Sequence, residues 1–174
     1  MRYELMHTIR LKEGDVKIRR DAAKVLGNLN SASGGRAIQP LIEALNDKDK
    51  KVKLNVIHSL IRIGDNQAVE PLINLIKDKD DESEIRKYAI LALGKLGDNQ
   101  AVEPLIKLGK DEIDFSRSVI YSLIDLADDH YMKMGEPETH DTWWDEWEKY
   151  EEVEIFFKHH YLKLIEKLES YWKI

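Results

Sequence analysis

The chain has 174 residues with 27 basic and 33 acidic side chains, a formal net charge of −6 and no cysteine. Disulfides, thiolate metal sites and cysteine nucleophiles are thereby excluded, and no uncharged run approaches the ~20 residues that a membrane-spanning helix needs. The length is that of one domain with an extended core, and Met1-Arg2-Tyr3-Glu4-Leu5 lacks the apolar stretch of a leader peptide, so a cytoplasmic protein is the expectation.

Residues 1–13 place apolar side chains at Leu5, Ile9 and Leu11 before Lys-Glu-Gly-Asp. We read them as a short helix, a half-repeat or N-terminal cap of about 1–14. Beyond it the chain is periodic. Gly64-Asp65-Asn66-Gln67-Ala68-Val69-Glu70-Pro71-Leu72-Ile73 recurs letter for letter from Gly97 to Ile106, a period of 33 residues, and Gly35-Arg36-Ala37-Ile38-Gln39-Pro40-Leu41-Ile42 is a degenerate earlier copy. Such periods mark stacked repeats.

Four first helices align at Ile18–Leu29, Val52–Ile63, Ile85–Leu96 and Phe115–Leu126, with apolar residues near offsets 0, 4, 5, 8 and 11. That spacing is helical and not strand-like. Small residues recur at offset 7 (Ser59, Ala92, Ser122) and glycine at offset 9 in two copies (Gly27, Gly94), where neighbouring helices could approach closely. Second helices follow around Leu41, Leu72 and Leu105. The Gly-Asp-Asn junction supplies a helix stop and then a cap. Pro40, Pro71 and Pro104 require either a late start or a kink. Basic residues at offset 1 (Arg19, Lys53, Arg86) are expected to bridge to loop aspartates such as Asp47 and Asp78. The units are about 15–47, 48–80, 81–111 and a partial 112–127, giving a repeat array over 1–127.

The wording of the third copy, Ile85-Arg86, then Ala92-Leu93-Gly94-Lys95-Leu96-Gly97-Asp98, then Ala101-Val102-Glu103-Pro104-Leu105-Ile106, resembles the HEAT-like repeat of the phycobilisome-lyase type. The resemblance covers roughly residues 15–127. It implies an all-α, right-handed α-α superhelix of about four helix pairs closed by N- and C-terminal capping helices. Proteins of that family include bilin lyase subunits, scaffolds and a di-iron hydroxylase whose ligands are His-Glu pairs. No His-Glu dipeptide occurs here, so the enzymatic role is not carried over.

Residues 128–174 break the pattern. They hold 13 acidic and 6 basic residues, all four tryptophans and 10 of the 14 aromatic residues, so the acidity of the chain lies there while 1–127 is balanced. Thr142 with Asp145 reads as a capping box. From there Trp143, Trp147, Tyr150, Val153, Phe157, Tyr161, Leu164, Leu168 and Trp172 follow at spacings of three and four, one face of a helix. This stripe is read either as a cap over the last repeat or as a partner or homodimer surface, and the two can coexist.

Little here speaks for chemistry. His159 and His160 are adjacent, so on a helix they point about 100° apart, and His140 could join them only through tertiary folding. His58 is most simply a polar-face or packing residue. No phosphate loop, dinucleotide fingerprint or Gly-x-Ser-x-Gly is present. No metal, cofactor or catalytic set is therefore expected. A balanced array with an acidic tail also disfavours nucleic acid. The remaining surface is the concave side lined by second helices. Its rungs are Gln39, Glu70 and Glu103, then Glu43, Asn74 and Lys107, then Asn46, Lys77 and Lys110, acidic at one edge and basic at the other. Non-catalytic binding of another protein is the expected function, with a lyase-like or maturation accessory holding a prosthetic group or client enzyme as the alternative.

Overall fold

The computed structural model describes residues 2–28 and 37–134, and among them all regular structure is helical. The α-helices are α1 (Arg2–Glu13), α2 (Val16–Asn28), α3 (Ile38–Glu43), α4 (Lys50–Ile63), α5 (Val69–Lys77), α6 (Ser83–Leu96), α7 (Val102–Asp111) and α8 (Ser116–Met134). Short 3-10 turns precede α5, α7 and α8 and extend α3. The first helices α2, α4, α6 and α8 pack one after another in a row. Each of α1, α3, α5 and α7 lies against the first helix that follows it, so the array is a two-layered α-α solenoid.

The junctions carry out the local rules of the sequence. Gly64 and Gly97 end α4 and α6 in the left-handed conformation, each with φ of 68°, which a side chain would strain. Asp65 and Asp98 then accept hydrogen bonds of 2.9 Å from the backbone N–H of Gln67 and Gln100, capping the 3-10 turns. Because these turns come first, α5 and α7 start late. Pro71 and Pro104 thus fall in the first helical turn, where the missing N–H has no intrahelical partner to lose.

The core is one continuous apolar cluster running from Leu11 to Leu126, with Leu26, Leu41, Ile57, Leu60, Leu72, Ile76, Ile85, Ile90, Leu93, Leu105 and Leu123 fully buried. The layers are locked where glycine meets serine. A Cβ on Gly27 would lie 2.7 Å from Cα of Ser59, and one on Gly94 the same distance from Cα of Ser122. The two hydroxyls donate across the same crossings, Ser59 to the carbonyl of Ala23 and Ser122 to that of Ile90, each at 2.8 Å. The repeat position equivalent to these glycines in α4 is Ile61, and the α4–α6 crossing is less extensive than α2–α4 or α6–α8. Helices approach as closely as the larger residue at the crossing allows.

Of the apolar residues Leu5, Ile9 and Leu11 on α1, only Leu11 is buried; Leu5 and Ile9 face outward, and the inward position is taken by His7. The sequence spacing is helical either way, but α1 rests on α2 and α3 through its His7–Leu11 side. At the other end α8 runs from Ser116 to Met134. The Asn30–Gly35 turn lies outside the described residues, as does the aromatic stripe of Trp143, Trp147, Tyr150, Phe157, Tyr161 and Trp172, with its readings as cap or interface. No described helix is long and apolar enough to cross a membrane.

Candidate partner-binding face

The basic residue near the start of α2, α4 and α6 is engaged in joining repeats. Arg19 grips Asp47 with Nε to Oδ2 at 2.7 Å and Nη2 to Oδ1 at 3.1 Å, and donates backwards to the carbonyl of Gly14 at 2.9 Å. Arg86, one of the few buried charged residues, does the same two units on: Nε donates to the carbonyl of Ile76 near the end of α5, and both Nη groups reach the Glu112 carboxylate, all at 2.9 Å. Its guanidinium also stacks 4.4 Å from the centre of the Phe115 ring. Each arginine thus ties a preceding helix end to the turn two elements later, satisfying carbonyls that a helix terminus leaves open.

Lys53 completes the series with a 2.6 Å pair to Asp81. The sequence pointed to Asp78 as the acid of that loop. Asp78 is instead engaged in its own turn, accepting 3.0 Å from the N–H of Asp80, and Asp81 stands 28 residues beyond Lys53, as Asp47 does beyond Arg19. The missed partners are Glu112 and the second pair at α4. There Arg20 holds both oxygens of Asp49 at 2.9 and 2.7 Å while Asp49 Oδ1 also accepts 2.9 Å from the N–H of Val52 as helix cap. Arg19 and Lys53 share a spacing of 28 residues to their acids, but Arg86 and Glu112 are 26 apart, so no single offset in the sequence names all three partners.

These contacts set the protonation of the acids. The hydrogen bonds from Arg20 hold the Asp49 carboxyl down at about 2, against the cost of desolvation. The Glu112 carboxyl is likewise lowered by Arg86. Burial would raise Asp47, but its bonds from Arg19 and from the N–H of Asp49 outweigh that and lower it. Lys50 sits between Glu82 at 2.6 Å and Glu84 at 2.5 Å, and its pKa is raised by both.

The second helices differ. Gln39 and Glu43 lie on α3, Asn46 in the 3-10 turn after it, Glu70, Asn74 and Lys77 on α5, and Glu103, Lys107 and Lys110 on α7; all nine are exposed. Glu43 pairs with Lys12 of α1 at 2.6 Å, both well solvated. The other eight have no ion pair within the described residues, and Glu103 and Lys107 do not close the i, i+4 bridge their spacing allows. The third rung is uneven: α3 tightens to 3-10 at Ala44, so Asn46 does not keep the helical register of Lys77 and Lys110. Glu70 and Glu103 stand in the first turns of their helices, and Lys77 and Lys110 in the last turns. Each end therefore complements the helix dipole, which gives the acidic-to-basic gradient a stabilising reason of its own.

Against known proteins, the family model of HEAT repeats matches residues 6–83 and again 38–124, together well over half of the chain. The chain belongs to the HEAT-repeat family. Among curated proteins none matches it. In this HEAT-repeat array the described residues bring no three His, Asp or Glu side chains together in a way that could hold a metal. His58 is exposed and meets the Tyr88 ring edge-to-face at 5.4 Å, a packing contact between α4 and α6. His140, His159 and His160 lie outside the described residues.

Proposed function

We propose that this HEAT-repeat protein is a non-catalytic scaffold that binds another protein along the outer face of α3, α5 and α7, the concave face of the superhelix. The supporting observation is the division of labour among its charges. Cations of the first helices (Arg19, Arg20, Lys53, Arg86) are consumed in repeat-to-repeat bonds. Glu70, Asn74, Lys77, Glu103, Lys107 and Lys110 keep their polar ends in solvent. An extended segment carrying basic residues along one side and acidic residues along the other matches the two edges. Such a match sets partner choice and encounter rate more than affinity. A cytoplasmic setting is part of the same reading.

The phycobilisome-lyase subtype belongs to this proposal through the Ala-Val-x-Pro-Leu-Ile wording of α5 and α7. With it comes the second reading, an accessory that holds a prosthetic group or client enzyme near 128–147.

The test is affinity capture with full-length wild type and with a face-reversed variant carrying Glu70→Lys, Glu103→Lys, Lys77→Glu and Lys110→Glu. All four sites are exposed, and although each reversal opposes a helix dipole at a cost of about 0.3–1 kcal/mol, circular dichroism should still show the helical fold. Partners identified by mass spectrometry should drop at least tenfold on the variant. Equal recovery of the same proteins by both would sink the groove reading, and a visible absorbance change on adding a linear tetrapyrrole would favour the accessory reading.

A further inference from the structure

We propose that α1 is an acid-released end cap: a proton on His7 frees α1 from α2 and α3 while the rest of the array stays folded. α1 holds to the array through little. Among its described side chains only His7 and Leu11 are buried, whereas α6 buries eight. Its ion pair, Lys12 with Glu43, is more than half exposed on both sides and adds little. A helix of 12 residues is marginal without packing, so α1 is helical where it docks and opens at lower cost than the whole array.

His7 supplies half of that contact, and does so while neutral. The residue is 6% exposed, its ring meets Tyr3 edge-to-face at 4.6 Å, and neither nitrogen has a hydrogen-bond partner among the described residues. An imidazolium there would carry two N–H donors and a charge into an unsatisfied, buried position. The charges around it are mostly of the wrong sign or already engaged. On α1, Arg10 opposes a proton on the ring, and Glu4 is the one acid within a turn of it in the sequence. On α3 the one acid, Glu43, is paired with Lys12. On α2, Lys17, Arg19, Arg20 and Lys24 outnumber the exposed Asp21, with Arg19 and Arg20 held by Asp47 and Asp49. Burial first and Arg10 second hold the ring below its ordinary 6.5.

Release puts His7 in water, where it takes a proton at about 6.5. The docked form is therefore favoured in full above that pH and loses ground as pH falls below it. While the docked ring stays neutral, the open fraction of α1 rises about tenfold between pH 7.5 and 5.5. That window is clear of the acids that join repeats. Asp47, Asp49 and Glu112 are held below the ordinary carboxylate range by their arginines, so those bonds persist at pH 5.5. Opening uncovers the surface of α2 and α3 that the His7–Leu11 side of α1 covers.

The test is hydrogen–deuterium exchange read by mass spectrometry on the full-length protein at pH 7.5 and 5.5, with rates corrected for the intrinsic exchange of an open chain. Protection of the α1 amides should fall about tenfold at the lower pH, and that of α6 should hold. In His7→Leu, α1 should be equally protected at both pH values. Circular dichroism checks that this variant is folded, and His7→Met, equally unable to take a proton, replaces it if it is not. An α1 unprotected at pH 7.5, a wild-type α1 that does not change, a loss shared equally by α6, or a variant that loses protection as wild type does would each overturn the proposal.

Discussion

Arg86 and Glu112 meet through two parallel hydrogen bonds of 2.9 Å, joining the first turn of α6 to the turn that follows α7. The arginine is buried, stacks on Phe115 and also holds the Ile76 carbonyl, so one side chain fastens α5, α6 and the entry to α8. Arg86→Ala should cost about 2–4 kcal/mol, because a half-buried carboxylate and a helix-end carbonyl lose their partner together. Replacing both charges with apolar residues, Arg86→Met with Glu112→Leu, should recover most of that loss. Urea denaturation of the two variants distinguishes the outcomes; a double variant as unstable as the single one would contradict this account of the pair.

Acid should loosen the array in a defined window. The Asp49 carboxyl titrates in the folded protein at about 2, below its ordinary 3.8, and Asp47 and Glu112 are lowered as well. A carboxylate whose folded pKa is depressed contributes stability that is complete above its unfolded value and is lost as pH falls through the folded one. Thermal melts should therefore be flat in this respect down to pH near 4 and drop between there and about 2. Asp49→Asn keeps a cap for α4 but removes the charge, so its melting temperature should converge on that of wild type toward pH 2. Parallel curves across the range would remove Asp49 from the explanation.

His7 works at a higher pH. Both ring nitrogens are buried without a hydrogen-bond partner among the described residues, and burial together with nearby Arg10 lowers its pKa from 6.5. The unfolded chain takes up the proton first as pH falls, so the contribution of the neutral ring is present above 6.5 and is lost below it. His7→Leu should raise stability by about 1 kcal/mol, since an unsatisfied buried polar group is removed. It should also flatten the dependence between pH 7 and 5. Guanidinium denaturation at three pH values suffices, and a variant less stable than wild type would mean that the imidazole is satisfied in solution.

Glycines should rank by what surrounds them. Gly27→Ala and Gly94→Ala push a methyl into the next helix at Ser59 and Ser122 and should each cost ~1–3 kcal/mol through overpacking. Gly64 has nothing within 4 Å, so Gly64→Ala bears only the strain of φ at 68°, about 1 kcal/mol. Chemical denaturation should place Gly64→Ala as the mildest of the three.

The boundary between what was legible and what was not follows the range of the interactions. The sequence alone determined the helical period and the Gly-Asp stops and caps, and it left the proline-bearing helices between a late start and a kink, which the 3-10 turns before α5 and α7 decided. The period, stops and caps depend on residues a few places apart, whose geometry the backbone itself dictates. Tertiary structure decided that Lys53 takes Asp81 and not Asp78, that Gly27 receives Ser59, and that α1 turns His7 inward and Leu5 outward. Those partners stand tens of residues apart or on alternative faces of one amphipathic helix, and only the registration of one packed layer against the next selects among them.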